Sequence, residues 1–402
     1  MIPAGLIFLA TYAVLAAGRV PFLRLDRTGA AIVGAVLMIA CRLLTLDEAW
    51  RAVDQRTILL LFGMMVLVAG LRLGRFFTTA SEFIASRVSS TSGLLVAVVF
   101  TSGVLSALFV NDTICLVLTP LVIEVARRRG DRPLPYLLAL ATASNIGSGA
   151  TITGNPQNMA IGSLSGMSYG RFTAALAPVA LVGLAFDAVI ICWLFRKSVG
   201  QHGRVAVGRT LRPVHRGLLM IATLVAGGVV VAFVAGVEPA LVALVAAAVL
   251  LMAFRVRPRK LYRQIDWELL ALFAGLFVVV AGAERAGLVA WMFAALRPFS
   301  LGSVVGMTVV SGVLSNIVSN VPAVMLFRTA VPQLAHPATS WLTLAMASTL
   351  AGNLTMVGSI ANLIVVQGAK HQGVRVTFGE YLKVGAPVTL ATIAFGVFWL
   401  SW

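Results

Sequence analysis

Long apolar segments follow one another along this chain, and they limit it to very few folds. Each is close to the roughly 20 residues that an α-helix needs to cross about 30 Å of hydrocarbon. Because lipid offers the backbone no hydrogen bonds, a chain of this kind must satisfy its polar groups within helices. We therefore predict an all-α polytopic membrane protein, and a hydrophobic fraction of 59% agrees with that class. The predicted spans are residues 3–18, 29–46, 57–74, 134–165, 173–195, 217–236, 238–254, 265–284, 338–368 and 380–401.

Two further apolar regions, residues 92–128 and 303–332, differ from these spans because each has a polar centre. A pair of tightly packed membrane-spanning helices could produce such a pattern. Two apolar legs on either side of a polar tip are also typical of a re-entrant hairpin that reaches the middle of the membrane. We favour the hairpin for both regions.

The two halves of the chain repeat one another. The segment "GVLSALFVND" from Gly103 matches "GVLSNIVSNV" from Gly312, which lies 209 positions later. The segment "LATASNIGSGATITGNPQN" from Leu140 matches "LAMASTLAGNLTMVGSIAN" from Leu344, at an offset of 204. Two more matches occur in the same order, which indicates an internal duplication. The predicted units are a first repeat at 1–200, a linker at 201–216 and a second repeat at 217–402.

The repeats are expected to face opposite ways across the membrane. Five spans precede the second repeat, so it begins on the other side if both hairpins enter and leave on one side. With both chain termini outside, most of the 31 Lys and Arg residues fall in inside segments, as the positive-inside rule requires. The same rule accounts for the net charge of +17 without nucleic acid as a partner. We expect an inner or plasma membrane location.

Inverted repeats with interrupted helices are typical of secondary transporters, whose binding site lies between the repeats near the bilayer midplane. Neither the phosphate-binding loop of a pump nor the HExxH motif of a metalloprotease occurs in the sequence. We therefore expect no enzyme, no cofactor and no resident metal. A channel remains an alternative, since broken helices also line pores.

The predicted hairpin tips carry polar residues where the chain is most deeply buried. Asn111 and Asp112 form the first tip, and Ser319 and Asn320 form the second. A carboxylate near the bilayer centre costs roughly 2.5 to 3.5 kcal/mol, so such residues usually carry a proton or a cation. We predict that Asp112 is the coupling residue, with a helix-capping role as the alternative.

The centres of two predicted spans combine helix breakers with polar side chains. Residues 144–158 read "SNIGSGATITGNPQN", and residues 348–362 read "STLAGNLTMVGSIAN". Such breaks aim the ends of half-helices at a substrate, whereas their small residues could instead serve helix packing. The predicted substrate-binding residues are Asn111, Thr113, Ser148, Thr151, Asn155, Asn158, Ser319, Asn320, Asn353, Thr355 and Asn362.

Three other charged residues lie in or near the predicted spans. Asp187 suits either a hydrogen bond between helices or an auxiliary proton site, and we retain it as a coupling candidate. Arg328 is expected to extend its side chain towards the membrane surface, with attraction of an anion as the alternative. Glu124 is expected to form an ion pair with Arg127 or Arg128.

At these motifs the chain resembles the ion transporter superfamily over nearly its whole length. That superfamily includes arsenite permeases, sodium-coupled dicarboxylate and citrate transporters, one class of sodium/proton antiporters, and plant silicon effluxers. The resemblance is most specific at "FVNDTICLVLTP", "SNIGSGATITGNPQN" and "SNVPAVML", and the first two are most similar to the silicon effluxers. It implies a homodimer, and hairpin tips and unwound helix centres that surround the substrate. It also implies a scaffold domain and a transport domain that moves as an elevator.

The hairpin tips separate the functions found in that superfamily. Dicarboxylate symporters carry Ser-Asn-Thr at both tips, whereas this chain has Asn111-Asp112 at the first and Asn320-Val321 at the second. The Asn-Asp pair resembles arsenite permeases and silicon effluxers, which implies proton-coupled export of a small metalloid acid or oxyanion. Sodium-coupled transport of a dicarboxylate or tricarboxylate is the alternative, and sodium/proton antiport is a further one. In those cases we expect Na⁺ near Asn111, Asp112, Gly147 and Asn320.

Overall fold

The computed structural model describes residues 2–20, 25–88, 90–196, 216–253 and 258–402. Within these ranges the chain is helical apart from short 3₁₀ turns and a two-residue antiparallel pairing of Arg19–Val20 with Leu25–Asp26. The predicted linker at 201–216 lies outside the described residues except for its last position. Six of the described helices are each long and apolar enough to cross a membrane.

The helices of the two repeats follow the same order. The first repeat comprises α1 (Ile2–Ala17), α2 (Arg27–Ala40), α3 (Leu46–Ala52), α4 (Gln55–Leu73), α5 (Phe76–Arg87), α6 (Thr91–Leu108), α7 (Asn111–Arg128), α8 (Leu134–Ser148), α9 (Pro156–Ser165) and α10 (Tyr169–Leu194). The second comprises α11 (Arg216–Val234), α12 (Pro239–Ala253), α13 (Pro258–Tyr262), α14 (Trp267–Arg285), α15 (Leu288–Ala295), α16 (Val304–Val318), α17 (Asn320–Leu326), α18 (Pro337–Ala351), α19 (Ile360–His371) and α20 (Phe378–Ser401).

The ten predicted spans and both hairpins are present as helices. The four short helices α3, α5, α13 and α15 were not expected, because each is too short to cross the membrane and lies in a connection between spans. Span 134–165 is interrupted between α8 and α9, and span 338–368 is interrupted between α18 and α19. The fold is therefore two inverted repeats, each with five transmembrane helices, one of them broken, and a re-entrant hairpin.

Equivalent residues begin equivalent helices. Asp54 caps α4, because its Oδ1 accepts a hydrogen bond from the backbone N–H of Arg56 at 2.9 Å. Asp266 caps α14 in the second repeat, where its Oδ1 accepts from the backbone N–H of Leu269 at 2.9 Å. A side-chain acceptor of this kind satisfies one of the free N–H groups of the first turn.

The helices form two domains. The scaffold domain consists of α1–α4, α11, α12 and α14, in which α4 packs on α12 and α14 packs on α2. Glycines allow these close approaches: a Cβ added at Gly63 would lie 2.6 Å from the backbone of Ala243, and one at Gly275 would lie 2.7 Å from that of Ala31. The transport domain consists of both hairpins, both broken helices, α10 and α20, which pack on one another.

Two sides of the membrane can be distinguished from the chain path. We call the side where α1 begins and α20 ends the terminal side, and the side where α10 ends and α11 begins the linker side. The Arg56–Glu238 ion pair, with 3.4 Å between Nε and Oε1, joins two connections on the terminal side. On the linker side, Arg127 Nη2 donates to the carbonyl of Gln372 at 2.5 Å.

Candidate functional site

Asn145, near the end of α8, joins the two repeats at the centre of the transport domain. Its Nδ2 donates to Asn353 Oδ1 at 2.8 Å and to Asn362 Oδ1 at 2.9 Å. Its Oδ1 accepts from Asn111 Nδ2 at 3.0 Å and from Ser359 Oγ at 3.1 Å. An amide side chain has two donors and two acceptor positions, so the hydrogen-bonding capacity of Asn145 is fully used.

Two equivalent asparagines close the two helix breaks. Asn158 Nδ2 donates to the carbonyls of Ser148 at 3.2 Å and Thr151 at 3.0 Å. Asn362 Nδ2 donates to the carbonyls of Gly352 at 2.8 Å and Thr355 at 3.2 Å. Each donor and acceptor of the first set lies 204 positions before its counterpart. Both asparagines therefore satisfy carbonyls that the interruption leaves without a helical partner.

A second symmetric pair of contacts crosses between the broken helices. Asn155 Nδ2 donates to Thr349 Oγ1 at 3.2 Å, and the equivalent Ser359 donates to Asn145 Oδ1. Gln157 Nε2 also donates to Thr349 Oγ1, at 3.2 Å. These contacts hold the four half-helices together in the middle of the domain.

Several predicted binding residues thus have partners inside the protein. Ser148 Oγ donates to the carbonyl of Asn145 at 2.9 Å, and Thr151 donates to the carbonyl of Ala107. Asn353 Nδ2 donates to the carbonyl of Thr142 at 3.0 Å. Thr113 occupies the first turn of α7, and its backbone N–H donates to the carbonyl of Val110 at 3.1 Å. Polar residues that accompany a helix break are needed to satisfy the broken backbone, so their presence alone does not place them against a substrate.

A small cavity lies where four helices begin. Its wall is formed by the starts of α7, α9, α17 and α19, and by Leu269 of the scaffold helix α14. The polar residues that line it are Asn111, Asp112, Gln157, Ser319, Asn320 and Ser359. Of the predicted substrate-binding residues, Asn111, Ser319 and Asn320 therefore lie at the cavity, and the predicted coupling residue Asp112 lies there too.

Asp112 and Asn320, which line this cavity, have side-chain acceptors without a hydrogen-bond partner among the residues described. Among the residues that the structure describes, no donor is hydrogen-bonded to the Asp112 carboxylate, and Val110 rather than Asp112 occupies the cap position of α7. The alternative of a helix-capping aspartate is therefore not realised. Asn320 is 8% exposed, and its Oδ1 has no partner within the same part of the chain.

The backbone of the second hairpin tip is strained. Ser319 has φ +76° and ψ +158°, a conformation that is essentially restricted to glycine. Such strain persists only where surrounding contacts enforce it, and it is concentrated at functional sites. Here it turns the chain between α16 and α17 so that the start of α17 reaches the cavity.

The electrostatic field in the cavity comes from helix ends and one acid. A helix start carries roughly half a positive charge from its unpaired N–H groups, which favours oxygen atoms of a ligand. Asp112 supplies the one carboxylate among the lining residues, and none of those described is Lys, Arg or His. The lining therefore combines positive helix ends with one carboxylate and includes no cationic side chain.

Asp187 lies away from this cavity and links two helices. It is fully buried in α10, and Thr142 Oγ1 of α8 lies 2.9 Å and 3.0 Å from its two carboxyl oxygens. The same hydroxyl lies 2.9 Å from the carbonyl of Leu138. Thr142 Oγ1 is the donor to the Asp187 carboxyl group, so this contact joins α8 to α10. The structure realises the helix–helix hydrogen bond that was one of the two expectations for this residue.

Arg328 forms an ion pair that the sequence analysis did not predict. Its Nε and Nη2 each lie 2.9 Å from a carboxylate oxygen of Glu284. Glu284 stands 44 positions away, so no local pattern could reveal the pair. The prediction for Glu124 is confirmed, since it forms an ion pair with Arg128 one turn later.

Gly147 serves close packing. A Cβ added to it would lie 2.0 Å from the carbonyl oxygen of Gly103, so α6 and α8 touch at their backbones. The residues expected near Na⁺ are thus divided: Asn111, Asp112 and Asn320 line the cavity, and Gly147 packs against the first hairpin. Close approach of small residues is the usual basis of helix packing in membranes.

The residues missed by the list of binding candidates are Asn145, Gln157, Thr349 and Ser359. All four lie within the two broken segments that the sequence identified. The available signal was the repeat itself, because Asn145 aligns with Thr349 and Asn155 aligns with Ser359 at the offset of 204. Positions that differ between the repeats form the contacts across the interface.

Comparison with known proteins gives the chain its relatives. A family model described as citrate transporter matches residues 12–351. A silicon efflux transporter from Oryza sativa subsp. japonica is 31% identical, over 94% of this chain and 93% of the relative. An uncharacterized transporter from Mycobacterium tuberculosis is 31% identical over 98% and 96%, and a transporter named arsB from Dictyostelium discoideum is 25% identical over 93% and 87%.

A solved structure shares the fold. The YdaH transporter of Alcanivorax borkumensis matches with a TM-score of 0.60 at 17% identity, over 100% of this chain and 96% of that one. At this identity the likeness concerns the architecture alone.

Proposed function

This chain belongs to the citrate transporter family and is a membrane transporter, not an enzyme. We propose that it exports a small metalloid acid or its oxyanion, of the arsenite or silicic acid type, in exchange for protons. The named relatives support this choice, since they include a silicon efflux transporter and a transporter named arsB.

One observation carries the proposal: the cavity at the four helix starts offers acceptors from side chains and donors from backbone. Asp112 and Asn320 can accept hydrogen bonds, and the backbone N–H groups of Gln157 and Ile360, which have no acceptor among the residues described, can donate. A hydroxylated acid both donates and accepts through each hydroxyl group. It matches this set better than a fully ionised oxyanion, which only accepts.

Proton coupling is assigned to Asp112. Its charge in a membrane interior is costly, and protonation removes that cost. Substrate hydroxyls that donate to the carboxylate stabilise its ionised form, so binding of substrate favours release of the proton. A proton/substrate exchanger requires this behaviour, in which binding of the substrate and binding of the proton disfavour each other. Asp187, with its partner Thr142, is outside the cavity lining and is left out of this step.

The experiment uses the full-length protein in proteoliposomes. Vesicles are loaded in turn with silicic acid, arsenite, citrate or succinate, and flux is followed under a pH gradient with and without a sodium gradient. We expect silicic acid or arsenite flux that increases severalfold with the pH gradient and does not respond to sodium. Flux that ignores the pH gradient would refute the coupling.

Sodium-coupled transport of citrate or a related carboxylate is the second candidate. The description of the matching family favours it. Against it, the lining residues include no basic side chain for a carboxylate, and the second tip has Val321 after Asn320. Sodium-dependent citrate or succinate flux in the same vesicles would favour this second candidate over metalloid export.

We also propose a plasma or inner membrane location, both termini outside, and a homodimer. The distribution of Lys and Arg supports the orientation. Protease protection of a tag at each terminus in intact cells tests the first two points. The mass of the detergent-solubilised protein tests the third.

A further inference from the structure

Arg328 and Glu284 connect the two domains, and we call this pair the clamp. Arg328 follows α17 in the second hairpin, which belongs to the transport domain, and Glu284 lies near the end of α14 in the scaffold domain. Two parallel hydrogen bonds of 2.9 Å join the guanidinium to the carboxylate. The side chains are 14% and 18% exposed, so water screens the pair only partly.

Other groups of the scaffold domain also contact the Arg328 guanidinium. Its Nη1 lies 3.4 Å from the carbonyl of Ala52 in α3, and the guanidinium lies 5.8 Å from the ring centroid of Phe277 in α14. Closer to the tip, six residues before Arg328, the carbonyl of Pro322 accepts a hydrogen bond from Tyr12 Oη of α1 at 3.1 Å. The second hairpin is therefore fixed to the scaffold along its length.

The clamp and the cavity lie towards opposite sides of the membrane. The cavity touches α14 at Leu269, in the first turn of that helix on the linker side. Glu284 lies in the last turn of the same helix, on the terminal side. In this arrangement the cavity stands on the linker side of the scaffold, and the clamp is closed on the terminal side.

The first repeat has no equivalent of the clamp. At the repeat offsets, Arg328 corresponds to Thr119 and Glu284 corresponds to Arg72. Thr119 Oγ1 donates to the carbonyl of Cys115 in its own helix at 2.6 Å, and Arg72 is exposed. When inverted repeats exchange roles between the two end states, contacts present in both repeats contribute equally to both states, whereas the clamp contributes to one.

We propose that Arg328 and Glu284 are positioning residues of the transport cycle. They hold the second hairpin on the scaffold while the cavity faces the linker side, and they separate when the cavity moves to the terminal side. Because the first repeat lacks the pair, the clamp makes the linker-facing state the more stable of the two. The inference rests on the proposed function only in requiring alternating access by a moving transport domain.

The test measures the two states directly, without substrate. Spin labels are attached at Gly5→Cys in the scaffold and Gly302→Cys before α16, since an added Cβ meets nothing within 4 Å at either position. The native cysteines Cys41, Cys115 and Cys192 are replaced, and distances are measured by electron paramagnetic resonance in lipid nanodiscs. We expect one dominant distance in this background, and in Arg328→Glu a second distance whose relative population rises about tenfold.

The charge-swapped pair Arg328→Glu with Glu284→Arg is expected to restore the original distribution. Arg285→Glu is the matched control: it breaks the neighbouring ion pair with Glu48, whose two members both belong to the scaffold, and is expected to change nothing. Glu284→Gln is the milder variant if Arg328→Glu does not yield folded protein. An unchanged distribution in the folded clamp variant, or an equal change in the Arg285→Glu control, would overturn the proposal. Absence of metalloid flux would refute the proposed function and leave this result standing.

Discussion

Asp112 and Asp187 are two buried acids with opposite surroundings. Asp112 lines the cavity and receives no hydrogen bond from the residues described, whereas Asp187 is enclosed between helices and contacts Thr142. An acid without a fixed donor can bind and release a proton as its surroundings change. An acid that accepts from a fixed donor between packed helices is held in one arrangement. The two residues are therefore expected to respond differently to the same substitution.

For Asp112 we predict that Asp112→Asn removes the response of flux to a pH gradient. Asparagine has nearly the same shape but cannot ionise, so substrate can still bind while no proton is exchanged. Counterflow of labelled substrate is expected to persist within about threefold of the parent, because it needs no net proton movement. Proteoliposome flux with and without a pH gradient measures both effects. Intact coupling in this variant would contradict the assignment.

For Asp187 we predict that Asp187→Asn retains both stability and pH-driven flux. The amide oxygen can accept a hydrogen bond from Thr142 Oγ1 as the carboxyl group does, so the contact between α8 and α10 is kept. Asp187→Leu loses that acceptor and is expected to lower the free energy of unfolding by about 1 to 3 kcal/mol. Thermal unfolding in detergent and flux measurements decide the matter. Loss of pH-driven flux in well-folded Asp187→Asn would instead assign Asp187 to coupling.

At the scale of elements, a broken helix needs side chains that satisfy the backbone carbonyls at the break. The interruption in α8–α9 leaves carbonyls without partners, and Asn158 supplies donors for two of them. Asn362 does the same for α18–α19 and also accepts from Asn145. By fixing the breaks, these side chains direct the starts of α9 and α19 at the cavity.

We predict that Asn158→Ala and Asn362→Ala each lower the free energy of unfolding, by about 1 to 3 kcal/mol for the carbonyls left unsatisfied. The loss is expected to be larger for Asn362→Ala, because Asn362 Oδ1 has a partner in Asn145 and Asn158 Oδ1 has none among the residues described. Thermal unfolding of the two variants and the parent, expressed and purified in the same way, measures the difference in stability. Full stability together with weakened substrate binding would show a direct binding role instead.

At the scale of the whole molecule, features shared by the two repeats differ in their consequences from the clamp, which only the second repeat contributes to. Equivalent glycines, caps and asparagines recur in both repeats. The clamp has no counterpart at the equivalent positions of the first repeat, Thr119 and Arg72. An exception of this kind can set which end state a carrier occupies at rest, because its free energy is not matched on the other side.

We predict that cross-linking the clamp stops transport. In Glu284→Cys with Arg328→Cys, a reducible bifunctional thiol reagent joins the two domains, and flux is expected to fall at least tenfold and to return after reduction. Glu48→Cys with Arg285→Cys is the control, since that link remains within the scaffold. Flux that continues through a completely cross-linked clamp would show that these residues need not separate.

The sequence alone determined the membrane class, the two repeats, the hairpins and the helix breaks. These features depend on local apolar length, on glycine and proline, and on a repeated order of residues, all of which can be read along the chain. The tertiary structure decided which polar residues face the cavity and which satisfy the backbone. It also paired Arg328 with Glu284 and Asn145 with Asn362, the latter 217 positions apart. Hydrogen bonding in a membrane interior must be completed by whichever groups the fold brings within reach, and that depends on how the repeats pack.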